Sequence, residues 1–240
     1  MPDKSRDVVV IATYNEAKTI DIILTTLMAC NLPAIVIDDN SPDGTANLAK
    51  AHANAYVIVR KHKRGIASAY LDGFHTALDQ GYDYIVQMDA GLTHDSTKVP
   101  SMLDKCKREQ FSLVIGSRFL NNPSVKSYRT FISLGAAWLM SHINVNVKDA
   151  TGGFRCWHGE HLRKLLKEHP ATAKGFAFQL ELLYWTFAMG GKVGEIPIDY
   201  LLSNSSFNFK MVREGLQVYK TLLTANRLSR SGTACEKGGK

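Results

Sequence analysis

The sequence is short of cysteine and has no long apolar run, and each shortage removes a class of protein. Its four cysteines lie far apart without a CxxC pair, which indicates neither a zinc site nor a disulfide framework and favours a reducing compartment. The polar residues 1–7 leave no room for the apolar core of a signal peptide. The longest apolar stretch, 131–140, is about half of the roughly 20 residues that a membrane span requires. We therefore expect a cytoplasmic protein without a transmembrane segment, which could still lie on a membrane surface as a peripheral protein.

Linkers, internal repeats and low-complexity segments are also missing, so the 240 residues with 45% hydrophobic content predict one folded domain. We expect that domain to cover 1–228. The small, polar and basic residues from Ser229 to Lys240 predict a disordered tail. The formal net charge of +7 indicates an anionic partner, and a basic excess of this size also suits a protein that binds only small phosphates.

Short apolar runs alternate with helix-like segments in the first half of the chain, which is typical of βαβ units on a parallel sheet. The predicted strands are Val8–Ala12, Ala34–Asp38, Tyr56–Arg60, Tyr84–Met88 and Leu113–Gly116. The predicted helices between them are Ala17–Ala29, Thr45–Ala53, Ile66–Gln80 and Lys98–Arg108. Because nearly every residue of these strands is apolar, both faces of the sheet should be covered. The pattern predicts an α/β fold with a Rossmann-like, mostly parallel twisted sheet and helices on both faces.

The residues that follow the predicted strands are unusually polar. Open parallel sheets bind ligands beyond the carboxyl ends of their strands, so a functional site is expected at this edge. The polar stretches are Thr13 to Glu16, Asp39 to Gly44, Lys61 to Gly65, Asp89 to Gly91, and Ser117 with Arg118. Turn formation accounts for Ser-Pro-Asp-Gly at 41–44, but it does not require a carboxylate or a cation at every strand end.

Several motifs stand in an order and spacing that resembles the inverting family 2 glycosyltransferases. They are Thr-Tyr-Asn-Glu at 13–16, Asp-Asp-Asn-Ser-Pro-Asp-Gly-Thr at 38–45, Met-Asp-Ala at 88–90, Gly-Ser-Arg-Phe at 116–119, Gly-Gly-Phe-Arg at 152–155 and Phe-Gln-Leu-Glu at 178–181. The resemblance covers about 8–211 and is greatest to the dolichol-phosphate or polyprenol-phosphate mannose synthase branch. It implies a GT-A fold and transfer of a hexose from a GDP- or UDP-sugar to a polyprenyl phosphate, with inversion at the anomeric carbon.

The resemblance also assigns a nucleotide-sugar site to the strand ends. The residues that match it are Thr13, Tyr14, Glu16, Asp38, Asp39, Asp89 and Gln179, and Lys63 is added to the predicted site from its position in the chain. For Asp38 and Asp39 the alternative is that they close a turn and cap the helix that begins at Thr45. Lys63 belongs to a basic run before a helix amino terminus, a place suited to phosphate, although such a run is also typical of a solvated face.

The metal site that the resemblance implies is incomplete in this sequence. Asp89 matches the first carboxylate of the family's Asp-x-Asp element, which holds Mg²⁺ or Mn²⁺ against the diphosphate, but Gly91 replaces the second carboxylate. His94 and Asp95 are near enough in sequence to substitute as metal ligands, or they are ordinary loop residues. The remaining alternatives are a metal held by Asp89, diphosphate and water alone, metal-free binding by cationic side chains, or lost activity. Without a metal, Asp89 could act as a base.

The acceptor side depends on a smaller set of matches. Arg118 matches an arginine that approaches the acceptor phosphate or the diphosphate, which makes Arg118 and Asp89 the predicted catalytic residues; an ordinary salt bridge is the alternative. Arg129, Ser133 and Lys210 match further acceptor contacts. The arginine and glycine that the family places shortly before Lys210 are absent here, which weakens the prediction of a lipid phosphate. The apolar helix expected over 131–143 is either a core helix or one that lies in a bilayer surface.

Other functions remain open at this stage. A phosphate acceptor is already ionised and needs no strong base, and the absence of an obvious histidine–carboxylate pair favours it over an alcohol. The same scaffold could instead glycosylate a modified DNA base or another glycan, for which the basic charge leaves room. A degenerate, non-catalytic protein that binds nucleotide sugars is the third reading. A dinucleotide-dependent dehydrogenase is excluded, because no GxGxxG follows the first strand.

Overall fold

The structure is a computed structural model that describes residues 6–62, 65–120, 128–173, 175–199 and 209–236. The side chains of 128–129, 209–211 and 228–236 lie outside this description as well. The strands are β1 (Asp7–Thr13), β2 (Ala34–Asp38), β3 (Ala55–Val59), β4 (Tyr84–Asp89), β5 (Leu113–Ser117), β6 (Arg155–His158) and β7 (Val193–Pro197). The helices are α1 (Ile20–Ala29), α2 (Thr45–Lys50), α3 (Ile66–Asp79), α4 (Val99–Arg108), α5 (Tyr128–Ser141), α6 (Gly159–Glu168), α7 (Phe178–Ala188) and α8 (Phe209–Glu236). A 3₁₀ turn, Ser96–Lys98, precedes α4.

The strands form one seven-stranded sheet in the order β3-β2-β1-β4-β6-β5-β7. Neighbouring strands are parallel except at β6, which runs antiparallel to both β4 and β5. The register places Thr13 beside Asp38 and Ala12 beside Asp89. The ends of β1, β2 and β4 are therefore level, and the polar segments that follow them share one edge of the sheet.

Successive residues of each strand contribute to cores on opposite faces of the sheet, because side chains alternate along a strand. Val8 and Val10 lie in the core that includes the buried faces of α3, α6 and α7. Val9 and Ile11 lie in the second core, beneath α1 and α4. This arrangement confirms the predicted α/β fold with a mostly parallel sheet and helices on both of its faces.

The close packing of α3 on β1 is set by Gly73. A Cβ atom at this position would lie 2.3 Å from Cγ1 of Val10, so any larger residue would push the helix away from the strand. One turn earlier in α3, Tyr70 is fully buried and its ring stacks on those of Phe74 and Phe178, with centroids 6.1 Å and 5.9 Å apart. Gly73 thereby allows Tyr70 to reach the carboxyl end of the sheet.

Two elements differ from the expectation based on sequence. β6 was not predicted, because its Arg-Cys-Trp-His sequence has no β-branched residue and is stabilised by pairing with strands on both sides. α8, which spans Phe209–Glu236, was not predicted either. The disordered tail expected from Ser229 remains a prediction. The single-domain boundary at 228 remains a prediction.

The described helices do not include one whose length and hydropathy would suit a membrane crossing. Among the described cysteines, Cys30, Cys106 and Cys156 are free thiols. Cys106 is buried, and its Sγ donates to the Phe111 carbonyl oxygen at 3.3 Å, so this thiol has a structural partner at the end of α4.

Candidate active site

The carboxylate of Asp38 organises the loop after β2. It is fully buried and accepts hydrogen bonds from Thr13 Oγ1 at 2.8 Å, from the Ser41 backbone N–H at 2.8 Å and from Ser41 Oγ at 2.6 Å. Ser41 Oγ in turn accepts from the backbone N–H of Asn15 at 3.0 Å. Asp38 and Thr13, both predicted to bind the nucleotide, therefore join the β1 and β2 loops, while exposed Tyr14 lies beside them on the same edge.

Asp39 forms a buried ion pair with Arg60, which follows β3. Nε of Arg60 donates to Asp39, and the backbone N–H of Gly65 donates to Asp39 Oδ2 at 3.2 Å. Arg60 Nη1 also donates to Ser68 Oγ at 2.7 Å. Since leaving one member of a buried pair unpartnered costs about 3–5 kcal/mol, this pair fixes the β2 loop against the start of α3. Lys63 of the same basic run lies outside the described residues.

Glu16 lies at the β1 end, where its half-buried side chain faces Gly91. Thr19 Oγ1 donates to its Oε2 at 3.2 Å. A Cβ atom on Gly91 would lie 3.8 Å from Oε1 and 4.0 Å from Oε2 of Glu16. Burial, together with the negative charges of Asp89 and Asp43, raises the pKa of the Glu16 carboxyl above its ordinary value. The two predicted acidic residues Glu16 and Asp89 thus influence each other electrostatically.

Asp89 ends β4 and is held on both sides. Its Oδ1 accepts a 2.5 Å hydrogen bond from the Tyr70 hydroxyl, and its backbone N–H donates to Nδ1 of His94 at 3.0 Å. Because Nδ1 acts as acceptor, the neutral His94 carries its proton on Nε2, which lies 3.9 Å from Asp89 Oδ2. Burial lowers the pKa of His94 and favours this neutral form. Asp89 nevertheless keeps 32% of its side chain exposed, so a ligand can reach it.

Asp89, His94 and Gln179 converge on Gly153. A Cβ atom there would lie 3.6 Å from His94 Cε1 and 3.8 Å from both Asp89 Oδ2 and Gln179 Nε2. Gln179 is 1% exposed, and its Oε1 has no hydrogen-bond partner within the described part of the chain. The space left by Gly153 is bordered by an amide donor, Gln179 Nε2, and a carboxylate acceptor, Asp89 Oδ2, which suits a hydroxyl group that can both accept and donate.

The shape of this loop depends on Arg155, the first residue of β6. Its guanidinium is fully buried and donates to the carbonyl oxygens of Gly152 at 2.8 Å, Gln179 at 2.8 Å and Ala150 at 2.9 Å. These bonds join the glycine turn to the first turn of α7. Arg155 is therefore a framework residue, and it places Gly153 and Gln179 side by side.

Arg118 follows β5 and is bound to the buried carboxylate of Asp149. Its Nε and Nη2 donate to Asp149 Oδ2 and Oδ1 at 2.7 Å and 2.6 Å. Nη2 also donates to Thr151 Oγ1 at 2.8 Å and lies 3.4 Å from Ser133 Oγ on α5. The salt bridge that was the alternative reading of Arg118 is thus present. With 19% of its side chain exposed, Arg118 also borders solvent near the predicted acceptor residue Ser133, and its acceptor role remains a prediction.

α5 carries an exposed apolar face next to Ser133. The exposed fractions are 74% for Phe131, 39% for Leu134 and 63% for Trp138, whereas Ser133 and Met140 are buried. The helix therefore packs one face into the core and exposes an apolar face, and its position in a bilayer surface remains a prediction. The side chains of Arg129 on α5 and Lys210 on α8 lie outside the described residues.

The donor atoms around Asp89 are compatible with a divalent cation that completes its coordination with substrate oxygens. Mg²⁺ and Mn²⁺ prefer carboxylate oxygen, and Mg²⁺ is commonly held by one or two carboxylates plus phosphates. The described residues contain no group of three or more His, Cys, Asp or Glu placed to hold a metal. His94 uses Nδ1 for the Asp89 backbone, and Asp95 accepts from the Thr97 N–H at 2.9 Å, so both predicted substitutes have structural roles.

Some site residues were not found from the sequence. Tyr70 lies within a helix whose other buried residues are mostly apolar, and its contact with Asp89 depends on how α3 sits on the sheet. A buried tyrosine needs a partner for its hydroxyl, but this rule does not name the partner. The contact of Thr151 with Arg118 and that of Arg60 with Asp39 were also missed, because the separation of these residues along the sequence does not indicate that they meet.

A mostly parallel sheet with carboxylates and an arginine along its carboxyl edge is the architecture of the GT-A class of sugar-transferring enzymes. A family model described as Glycosyl transferase family 2 matches residues 8–171, and the chain therefore belongs to this family. It is a glycosyltransferase.

Individual relatives agree with this assignment. The undecaprenyl-phosphate mannosyltransferase of Micrococcus luteus is 30% identical over 206 residues, or 82% of this chain and 84% of the relative. The polyprenol monophosphomannose synthase of Mycolicibacterium smegmatis is 32% identical over 225 residues, or 88% of this chain and 84% of the relative. The crystal structure of S. aureus TarS 1-349 matches with a TM-score of 0.54 at 14% identity, over 81% of this chain and 59% of that one. The last comparison shows a shared fold alone.

Proposed function

We propose that this protein transfers a hexose, with mannose as the first candidate, from a nucleoside diphosphate sugar to a polyprenyl phosphate, with inversion. The observation that carries the proposal is the glycine turn at 152–153. A Cβ atom on Gly152 would lie 3.2 Å from Oδ2 of Asp149, the carboxylate that binds Arg118, and a Cβ atom on the adjacent Gly153 would lie 3.8 Å from Oδ2 of Asp89. A carboxylate suited to the donor and an arginine suited to an acceptor phosphate therefore flank one small region.

The donor half of the proposal uses the β1, β2 and β4 ends. Tyr14, Glu16 and Asp39 would border the nucleoside, and Asp89 would border the diphosphate. A bound divalent cation would act there as a Lewis acid for the departing diphosphate. Gln179 Nε2 and Asp89 Oδ2 border the space at Gly153, where the amide can donate to a sugar hydroxyl and the carboxylate can accept from one, so that together they would hold the sugar in place.

The acceptor half uses Arg118 and α5. A phosphate oxygen is already ionised at neutral pH, so the residues need only bring it into line and compensate its charge. Arg118, held rigidly by Asp149, supplies that charge. The apolar face with Phe131, Leu134 and Trp138 begins beside Ser133, which places a surface suited to an isoprenoid chain next to a site suited to its phosphate. The names of the two relatives, which specify undecaprenyl phosphate and polyprenol, support the same acceptor.

The test is a transfer assay with the full-length chain, Mn²⁺ and radiolabelled GDP-mannose or a UDP-hexose. Undecaprenyl phosphate in detergent is the acceptor, and undecaprenol without phosphate is its matched control. We expect label in the organic phase with the phosphate only. NMR of the product then reports its anomeric configuration, which should be opposite to that of the donor.

Two variants make the assay specific to the site. Asp89→Asn should abolish transfer, whereas Asp104→Asn, an exposed change on α4, should leave it intact. If the label were found in a nucleic acid or a free glycan instead, that molecule would be the acceptor and the polyprenyl phosphate proposed here would be wrong. Binding of nucleotide sugars without transfer to any of these acceptors would refute an enzymatic role.

A further inference from the structure

The outward face of α5 is apolar along the helix. Phe131 is 74% exposed, Leu134 39% and Trp138 63%, and because they are three and four positions apart they form one stripe. The helix sequence, Tyr128–Ser141, contains no aspartate or glutamate. A contiguous exposed apolar stripe is typical of a surface that binds a partner. The occupant of this face should therefore accept large apolar side chains.

α8 carries a row of cations on its outward side. Arg213, Lys220 and Arg227 are exposed and stand seven residues apart, which is about two helical turns, so they lie on one face of the helix. Leu222, on the opposite face, is buried in the core. The ion pairs formed between described residues include none of these three cations. The row is thus a positively charged stripe that faces away from the core.

The two stripes lie on neighbouring helices and on the same side of the molecule. α5 and α8 pack against each other, and Met140 of α5 and Leu222 of α8 belong to one core cluster. The faces opposite to these residues therefore point away from the same face of the sheet. Over 212–227, α8 has one acidic residue, Glu214, and its Oε2 lies close to Gly175 instead of in the cationic stripe.

We propose that the outward faces of α5 and α8 form a docking surface for an anionic lipid bilayer. Aromatic and aliphatic side chains enter the boundary between head groups and acyl chains, and lysine and arginine side chains bind anionic head groups. A duplex nucleic acid would match the cations but would leave the apolar stripe in water. The presence of both stripes on adjacent helices favours the bilayer.

The docking surface is connected to the candidate acceptor site through Ser133, on the buried side of α5. Ser133 Oγ accepts from Thr151 Oγ1 at 3.0 Å, and Thr151 Oγ1 accepts from Arg118 Nη2 at 2.8 Å. The inference rests at this point on the proposed function, because a polyprenyl phosphate is itself a membrane lipid. A bilayer against α5 brings the acceptor phosphate to the side of the molecule that holds Arg118.

Flotation of the full-length chain with vesicles measures docking directly. The vesicles are phosphatidylcholine alone and an equimolar mixture of phosphatidylcholine and phosphatidylglycerol, both without polyprenyl phosphate. One variant changes each stripe: Lys220→Gln/Arg227→Gln on α8 and Phe131→Ala/Trp138→Ala on α5. The matched controls are on helices of the opposite face of the sheet, Lys105→Gln/Arg108→Gln on α4 and Ile22→Ala/Met28→Ala on α1.

We expect the wild type to bind the mixed vesicles about tenfold or more tightly than phosphatidylcholine vesicles. Lys220→Gln/Arg227→Gln should lose about tenfold in affinity for the mixed vesicles, and Phe131→Ala/Trp138→Ala should weaken binding to both kinds. The α4 and α1 controls should bind as the wild type does.

The transfer assay separates docking from chemistry. With undecaprenyl phosphate in detergent, Lys220→Gln/Arg227→Gln should transfer at the rate of the wild type, because no bilayer has to be bound. With the same acceptor in mixed vesicles, its rate should fall about tenfold, in step with the loss of vesicle binding.

Several results would overturn the inference. A wild type that does not float with anionic vesicles, or an α4 control that loses as much affinity as the α8 variant, removes the docking surface. Binding of duplex DNA that is lost in the α8 variant while vesicle binding is kept assigns the cationic stripe to nucleic acid. In each of these cases transfer in detergent still supports the proposed function. A wild type that shows the expected vesicle binding but transfers to no polyprenyl phosphate refutes that function and supports the docking surface.

Discussion

The Tyr70 hydroxyl donates a 2.5 Å hydrogen bond to Oδ1 of Asp89, across a separation of 19 residues. Tyr70 is fully buried between Phe74 and Phe178, so it holds the carboxylate from a rigid base. Burial and the nearby Asp89 charge raise the pKa of Tyr70 well above its ordinary value, and the hydroxyl remains a proton donor at all working pH values. Oδ2 is left on the more open side, toward Gly153.

Tyr70→Phe tests this positioning role. The ring stacking should survive, and the loss of one hydrogen bond should lower the free energy of unfolding by about 1 kcal/mol. Turnover should fall about tenfold to a hundredfold, because Asp89 loses the bond that orients it. The measurements are urea unfolding and steady-state transfer kinetics. An unchanged KM for the acceptor together with a lower kcat supports positioning, whereas unchanged kcat would contradict it.

Gly153→Ala tests whether the space beside Asp89, His94 and Gln179 holds the sugar. The new methyl group would make ordinary contacts of 3.6 Å or more, so the fold should be retained. Affinity for GDP-mannose should fall about tenfold, a loss of about 1.4 kcal/mol, while affinity for GDP alone is kept. Calorimetry with both ligands measures the difference. Gly215→Ala, a helix position with nothing within 4 Å, is the matched control; equal losses for GDP and GDP-mannose would count against a sugar subsite.

His94 should make stability depend on pH in the acid range. Burial, assisted by the charge of Arg118, holds the folded-state pKa of His94 below its ordinary 6.5, although Asp89 and Asp149 oppose this. The unfolded chain then binds the proton more readily, so the contribution of His94 to stability is present above pH 6.5 and is lost as the pH falls below it.

His94→Asn keeps an acceptor near the position of Nδ1 for the Asp89 backbone N–H but cannot titrate. Its stability should decline less steeply than that of the wild type between about pH 8 and pH 5. Urea unfolding in metal-free buffer, repeated across this range, measures the two slopes. Parallel profiles would show that His94 does not change protonation on unfolding.

Arg118→Lys separates the charge of this residue from its geometry. Lysine cannot bond Asp149 through two nitrogens and still reach Thr151, so the KM for polyprenyl phosphate should rise. The free energy of unfolding should also fall by about 1–3 kcal/mol, because the buried carboxylate of Asp149 loses part of its hydrogen bonding. Arg108→Lys, an exposed change at a helix end, is the control for kinetics and unfolding. An acceptor KM equal to that of the wild type would remove Arg118 from acceptor binding.

The first five strands of the sheet and the polar segments after them could be predicted from sequence. The buried strands β1, β2, β4 and β5 have nearly all-apolar cores followed by turn or charged residues, and both signals are local. The helical spacing of apolar residues in α3 and α4 is also a signal contained within one segment. The resemblance to a family added roles for Asp89 and Arg118 that no local signal contains, and those roles remain predictions.

The amino-acid sequence by itself determined which residues could form buried strands and amphipathic helices, because that depends on the size, branching and polarity of adjacent side chains. The tertiary structure decided which distant residues meet: β6 between β4 and β5, Tyr70 on Asp89, Arg60 on Asp39 and Glu16 opposite Gly91. These contacts follow from the order of the strands and from the distance at which α3 packs on β1. A pattern within one segment carries no information about the segment that will lie beside it.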